Sequence, residues 1–126
     1  MKIKEVSEKY NISQDTLRYY EKIGVIPKVS RDKNGIRCYS DDDLRWIELA
    51  ICLRGAGLAL DVLIEYRKLF TQGNSTIEKR YDLLKNQKEQ LVNQKKQIDE
   101  TIDRLDYKIK IYEEAMKTGK FPWEDN

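Results

Sequence analysis

The chain has 126 residues, 37% of them charged and 40% hydrophobic, with a mean hydropathy of −0.76; it has room for one compact domain, or a small domain with one long element, and not for two full domains. No apolar run approaches the roughly 18 residues of a membrane span and no basic-then-apolar leader opens the chain, so the expected location is the cytoplasm, away from any membrane. With no His and only Cys38 and Cys52, there is no material for a catalytic triad, a mixed His/Cys zinc site or a disulfide framework, and the expectation is a binding protein without cofactor or metal, not an enzyme.

The net charge of +2 is unevenly placed. Residues 1–40 hold nine Lys and Arg against five acids, a surplus of four, while residues 41–126 hold 15 basic and 17 acidic side chains. A basic head on a near-neutral body is the electrostatic outline of a nucleic-acid binder.

In chain order, the first predicted helix runs from Ile3 to Tyr10, with Val6 and Tyr10 four apart on one face. Asn11-Ile12-Ser13 is a tight turn, and Ser13 is a good N-cap for a second helix, Gln14 to Ile23. Gly24 supplies the stop, with Pro27 three residues beyond. Two short helices joined by three residues form a helix-turn-helix. Between Val29 and Tyr39, Asn34-Gly35 predicts a β-hairpin with a two-residue type I′ turn, which needs positive φ at both central residues. Ser40 with Asp43 resembles a capping box for a third helix, Asp41 to Arg54, whose first turn carries three acids that suit the helix dipole. Gly55 and Gly57 break the chain before a fourth helix, Leu60 to Phe70.

Ser75 with Glu78 predicts a second capping box, and no Gly or Pro follows until past Lys117. Ile77, Leu84, Leu91, Ile98, Leu105 and Tyr112 recur every seven residues, and Tyr81, Lys88, Lys95, Ile102, Ile109 and Met116 follow them at four. This is a heptad seam. A helix over 75–117 reaches about 65 Å, which outruns so small a domain, so its stripe predicts burial against a second copy. Lys88 and Lys95 weaken one half of the seam and can set register and partner choice.

The second helix has two faces. Thr16, Leu17, Tyr20 and Ile23 share an arc suited to packing on Val6, Tyr10 and Ile12, whereas Asp15, Arg18, Tyr19 and Lys22 share the opposite, solvent-facing arc. Guanidinium can pair bidentately with a phosphate or with guanine, and a tyrosine hydroxyl can bond a phosphate. The hairpin adds Arg31, Lys33, Arg37 and Tyr39 as a wing whose cations can reach the backbone flanking that helix. Arg31 and Arg37 flank the turn, and like charges paired across a ladder cost stability, which suits a nearby anion. A cationic helix face, a cationic wing and a self-associating helix together imply a dimer that binds duplex DNA. The competing class is a coiled-coil adaptor whose basic head docks on an acidic protein.

The run Ser13-Gln14-Asp15-Thr16-Leu17-Arg18-Tyr19-Tyr20-Glu21-Lys22-Ile23-Gly24-Val25-Ile26-Pro27 resembles the signature of MerR-family transcription regulators. So do the wing, Arg31 to Tyr39, and the third helix opening Asp41-Asp42-Asp43-Leu44. The likeness covers residues 1–73 in detail and the long helix in layout. It implies a mainly α fold: a winged helix-turn-helix domain over 1–73, an antiparallel coiled-coil dimerisation helix over 75–117, and a tail over 118–126. It further implies a homodimer on a palindromic operator, an over-long promoter spacer that the dimer bends and untwists, and RNA polymerase as partner at that promoter. Thr16, Arg18, Tyr19, Arg37 and Tyr39 match the DNA-contacting places, while Cys38 stands where the family usually has no thiol; it is inert or gives the wing a redox response.

Metal-sensing members carry cysteines at the start of the long helix and after it. Here 75–126 has neither Cys nor His, so soft-metal ligands are lacking. With nine residues after the seam in this sequence, the added domain of drug-sensing members is not expected. The tail Gly119-Lys120-Phe121-Pro122-Trp123 is expected to fold on the partner chain, or else to act as a ligand-binding flap. Cys52 remains. Its pattern allows a small buried apolar residue or, beside Arg45 and Arg54, a thiol with an enlarged thiolate fraction. A cysteine in this place is similar to the short aldehyde- and thiol-stress branch of the family, which implies sensing of a reactive aldehyde or other electrophile through Cys52. A non-thiol small-molecule effector, or none, is the alternative.

Overall fold

The structure is a computed structural model that describes residues 1–122. It separates into two compact units, Met1–Gln87 and Lys88–Asn126.

In the first unit, α1 (Ile3–Tyr10) and α2 (Gln14–Ile23) form the helix-turn-helix. The turn works because Asn11 takes the left-handed conformation at φ 52°, where Asn is tolerated, and the Ser13 hydroxyl then accepts the N–H of Thr16 at 3.0 Å. Gly24 ends α2 at φ 88°, and the N–H groups of Val25 and Ile26 both return to the Tyr20 carbonyl, which fixes the exit toward the wing. Strands β1 (Ser30–Arg31) and β2 (Arg37–Cys38) are antiparallel, with Ser30 opposite Cys38 and Arg31 opposite Arg37. Helix α3 (Asp41–Gly55) starts at the expected capping box: the Ser40 hydroxyl accepts the Asp43 N–H at 3.1 Å and the Asp43 carboxylate accepts the Ser40 N–H at 2.9 Å. Helix α4 (Leu60–Thr71) follows.

One core joins these elements. Val6, Leu17, Val25, Ile26, Ile47 and Ala50 are fully buried, with Tyr20, Val29, Leu44, Trp46 and Leu63 around them. Trp46 meets Phe70 edge-on at 5.4 Å and Tyr66 at 5.7 Å, geometries favourable to the ring quadrupoles. Arg67 lies over the Trp46 ring and donates to the Gly24 carbonyl at 3.0 Å, so α4 holds the end of α2.

Two local expectations are corrected. The wing does not turn through two residues: Asn34 is absent from the positive-φ positions and only Gly35, at φ 78°, is left-handed. Residues 32–36 form the loop, with the Gly35 N–H on the Asp32 carbonyl and the Asp32 N–H on the Ile36 carbonyl, both at 2.9 Å. The Asp32 carboxylate, which accepts the N–H groups of Asn34 and Ile36 at 2.8 and 3.0 Å, stabilises this wider loop. The start of the long helix also differs. A 3₁₀ turn, Asn74–Thr76, precedes α5 (Ile77–Thr118), and the buried Thr76 hydroxyl reaches Leu69 and Gly73 carbonyls at 2.6 and 2.8 Å. Thr76, not Ser75, organises that start.

In the second unit α5 presents most of its apolar residues to solvent within the single chain, from 48% at Ile102 to 76% at Met116, while Leu91 and Ile111 are half-buried. Gly119, at φ 74°, turns the tail, and Phe121 packs on Tyr112 of its own helix with ring centroids 4.9 Å apart. Trp123, part of the expected partner contact, lies outside the described residues. No helix among the described residues is long and apolar enough to cross a membrane.

Candidate nucleic-acid interface

Helix α2 divides as its periodicity requires. Leu17 and Tyr20 face the core, and Asp15, Arg18, Tyr19 and Lys22 are exposed, Tyr19 at 54%. Arg18 is not loose: its guanidinium pairs with Asp15 at 2.9 Å and touches Gln14 at 3.3 Å. An ion pair this exposed contributes little to stability and can be exchanged for a phosphate or a base edge. Thr16 is half-buried and its hydroxyl shares a 2.7 Å hydrogen bond with Ser13, so it belongs to the cap of α2.

The wing supplies a second group. Arg31 and Lys33 are exposed, and Arg31 donates to the Gly35 carbonyl at 2.8 Å. Arg37 turns inward: its Nε donates to Glu21 of α2 at 2.8 Å, with 21% of the Arg37 side chain and 12% of the Glu21 side chain exposed. The structure thereby brings the wing against α2 through a pair that sequence periodicity does not reveal, since the partners are 16 residues apart on different elements.

Tyr39 corrects the surface position its pattern suggests. It is 4% exposed, within the buried cluster, and its hydroxyl finds no hydrogen-bond partner among the described residues. Burial pushes its hydroxyl pKa up, while the positive charges of Arg37 and Arg18 oppose that shift and Glu21 and Asp43 add to it. Arg18, Glu21, Arg37 and Asp43 thus share one electrostatic neighbourhood around the buried Tyr39 hydroxyl, beneath the α2–wing surface.

The wing's far side is tied to the start of the chain. Lys2 Nζ donates to Asp32 at 2.7 Å and to the Cys38 thiol at 3.2 Å, and the Tyr39 N–H donates to the Met1 carbonyl at 2.7 Å. Cys38, half-buried, therefore lies against a lysine and away from the α2 contact made by Arg37. Cys52, on α3, is exposed, which corrects the buried alternative for the single chain. Of the cations expected to serve it, Arg45 pairs instead with Asp42 at 3.2 Å; the acid Glu48, one turn before Cys52, accepts the Tyr10 hydroxyl at 2.7 Å.

Residues 1–69 match the model of the MerR HTH family regulatory proteins. The chain is 45% identical over 92 residues to the HTH-type transcriptional regulator AdhR of Bacillus subtilis, a match covering 73% of this chain and 66% of that protein. Among solved structures it is similar to a MerR-family transcriptional regulator of Listeria monocytogenes, at 44% identity and a TM-score of 0.89 over 94% of this chain and 90% of that one. It is also similar to HiNmlR, a MerR family regulator lacking the sensor domain and bound to promoter DNA, at 34% identity and a TM-score of 0.85 over 95% of both chains.

Proposed function

The chain belongs to the family of MerR HTH regulatory proteins, and on that premise we propose that it acts as a homodimer that grips a palindromic promoter operator and deforms the DNA between its two heads. It is a DNA-binding transcriptional regulator and not an enzyme. The observation that carries the reading is the joined cationic surface: exposed Arg18, Tyr19 and Lys22 on α2, with Arg37 of the wing anchored to the same helix through Glu21. Arg31 and Lys33, with Thr16 at the cap of α2, complete the proposed DNA-contacting set, and Tyr39 supports that surface from the core beneath it. The winged domain is residues 1–73.

The dimer forms through 75–117 in antiparallel pairing. Support comes from the heptad seam, exposed in the single chain at Ile98, Ile102, Leu105, Ile109, Tyr112 and Met116. So many apolar side chains along one stripe call for a partner surface. Two heads fixed at a set separation bend and untwist an over-long spacer, which changes how the promoter elements face RNA polymerase in the cytoplasm. The effector is a reactive aldehyde taken up by exposed Cys52. The thiolate forms a sulfur–carbon bond to the carbonyl carbon, and the carbonyl oxygen takes a proton to give a hemithioacetal. A non-thiol effector is the alternative outcome.

A mobility shift of the full chain on duplex from its own upstream region, repeated between about 50 and 200 mM salt, tests the DNA reading. Several phosphate contacts give a steep fall in affinity with salt and protection of two half-sites. A flat salt response overturns it in favour of an adaptor, and a monomer by light scattering overturns the dimer on which both readings rest.

A further inference from the structure

Besides the exposed Asp15, a second and mostly buried acid sits at the binding surface. Glu21, in the last turn of α2, reaches Arg37 of β2 with one carboxylate oxygen at 2.8 Å, while its other oxygen faces the Val29 N–H at 3.4 Å, where the chain enters the wing. Both side chains of the ion pair are mostly buried. A carboxylate beside phosphate-binding arginines opposes DNA by charge alone. The geometry gives it another task.

We infer that Glu21 is a positioning residue: it aims Arg37 at the DNA backbone and holds the wing on the recognition helix. Among the described residues only Nε of Arg37 has a hydrogen-bond partner, which leaves the terminal nitrogens of the guanidinium for an anion, and a planar guanidinium fixed at one edge presents its other edge in a defined direction. Arg37 also stands directly opposite Arg31 in the ladder, and like charges so placed repel. Glu21 neutralises one of them, so the hairpin keeps both cations without splaying. The inference rests on the proposed contact between Arg37 and DNA.

Charge and geometry predict opposite signs, which makes the test decisive. If Glu21 acts only as a negative charge, Glu21→Gln tightens operator binding. If it aims Arg37, Glu21→Gln weakens binding about tenfold, the ordinary scale of coupling between contacting residues, and lowers the salt slope by about one because one phosphate contact is lost. A loss of stability alone would leave that slope unchanged. Operator affinity is measured by fluorescence anisotropy on the full dimeric chain for wild type, Glu21→Gln, Arg37→Ala and the double variant. In the Arg37→Ala background, Glu21→Gln is expected to change affinity less than about twofold. Glu21→Asp keeps the charge and withdraws the carboxylate by one methylene; it is expected to weaken binding as well, and it serves as the test should the Gln variant melt early. Unchanged or tighter binding by Glu21→Gln, unchanged binding by Glu21→Asp, or full additivity with Arg37→Ala overturns the positioning role. If Arg37→Ala itself leaves binding intact, the wing contact fails and the inference with it; if Arg37→Ala weakens binding and the Glu21 variants do not, only the inference fails.

Discussion

Lys2 and Asp32 meet at 2.7 Å between the start of the chain and the loop of the wing, and the same carboxylate accepts the backbone N–H groups of Asn34 and Ile36. One acid thus shapes the loop and ties it down. The Lys2 hydrogen bond, then that of Ile36, lower the Asp32 pKa from 3.8 to about 2. A carboxylate depressed on folding contributes its stability fully above its unfolded pKa and loses it as pH falls through the folded one. The wing is therefore expected to loosen between about pH 4 and pH 2, seen as amide exchange at Gly35 and Ile36 accelerating ahead of the core. Asp32→Ala should show that fast exchange at pH 7, with the melting temperature moving by only a few degrees; protected loop amides in the variant would refute the role of Asp32.

Arg18 and Arg37 are expected to matter for DNA and little for folding. Arg18→Ala removes only exposed contacts to Asp15 and Gln14, so operator affinity should fall by about 1–3 kcal/mol while the thermal melt stays near wild type. Arg37→Ala should weaken binding by a similar amount, with a modest loss of stability because Glu21 is left without its partner. Anisotropy and circular dichroism on the same samples separate the effects. A melt that collapses with Arg18→Ala would make that residue structural.

Leu17 is fully buried on the inner face of α2, so Leu17→Ala is expected to cost about 2–5 kcal/mol in urea unfolding, measured at fixed protein concentration because dimerisation contributes to apparent stability. Tyr19→Ala, two residues on but exposed, should cost little stability. Equal losses at both positions would contradict the two-faced reading of α2.

These contrasts mark what the sequence could disclose. Features set by neighbours in the chain were legible: the Ser13 cap, the Gly24 stop, the Ser40–Asp43 box and the split faces of α2 all follow from hydrogen bonds or periodicity within a few residues. Features decided at longer range were not. Asn34-Gly35 reads as a two-residue turn only until Asp32 competes for the loop N–H groups. Ser75 yields to Thr76 because the Leu69 carbonyl of the preceding helix is within reach. Glu21 looks like one more surface acid until the wing folds onto it, and Tyr39 looks like a wing surface residue until its ring is seen among the core.

The seam of α5 predicts a measurable asymmetry. Ile102→Glu places a charge on an apolar stripe and is expected to weaken the dimer at least tenfold in sedimentation equilibrium, since burying one such side chain contributes about 1.5–3 kcal/mol. Lys88→Ile with Lys95→Ile replaces the two cations that interrupt the stripe and should strengthen association, raising the melting temperature. Weaker association of the isoleucine variant would show that these lysines pair across the interface rather than interrupt it.

Cys52 is exposed on α3, and Cys38 is half-buried against Lys2, so the two thiols are separable by mutation. Cys52→Ser substitutes a near-isosteric side chain at an exposed position and is expected to leave folding and operator affinity within about 0.5 kcal/mol of wild type. Addition of a thiolate to an aldehyde carbonyl requires the sulfur, and serine at neutral pH does not replace it. The variant should therefore bind the operator normally and fail to respond to formaldehyde or methylglyoxal in a reporter assay, while Cys38→Ser responds as wild type. Intact protein mass spectrometry in the continued presence of the aldehyde should show one adduct fewer in Cys52→Ser than in wild type or Cys38→Ser. A full response in Cys52→Ser removes the thiol mechanism and leaves a non-thiol effector; a lost response in Cys38→Ser alone would move the sensor to the wing, next to the arginine that Glu21 holds.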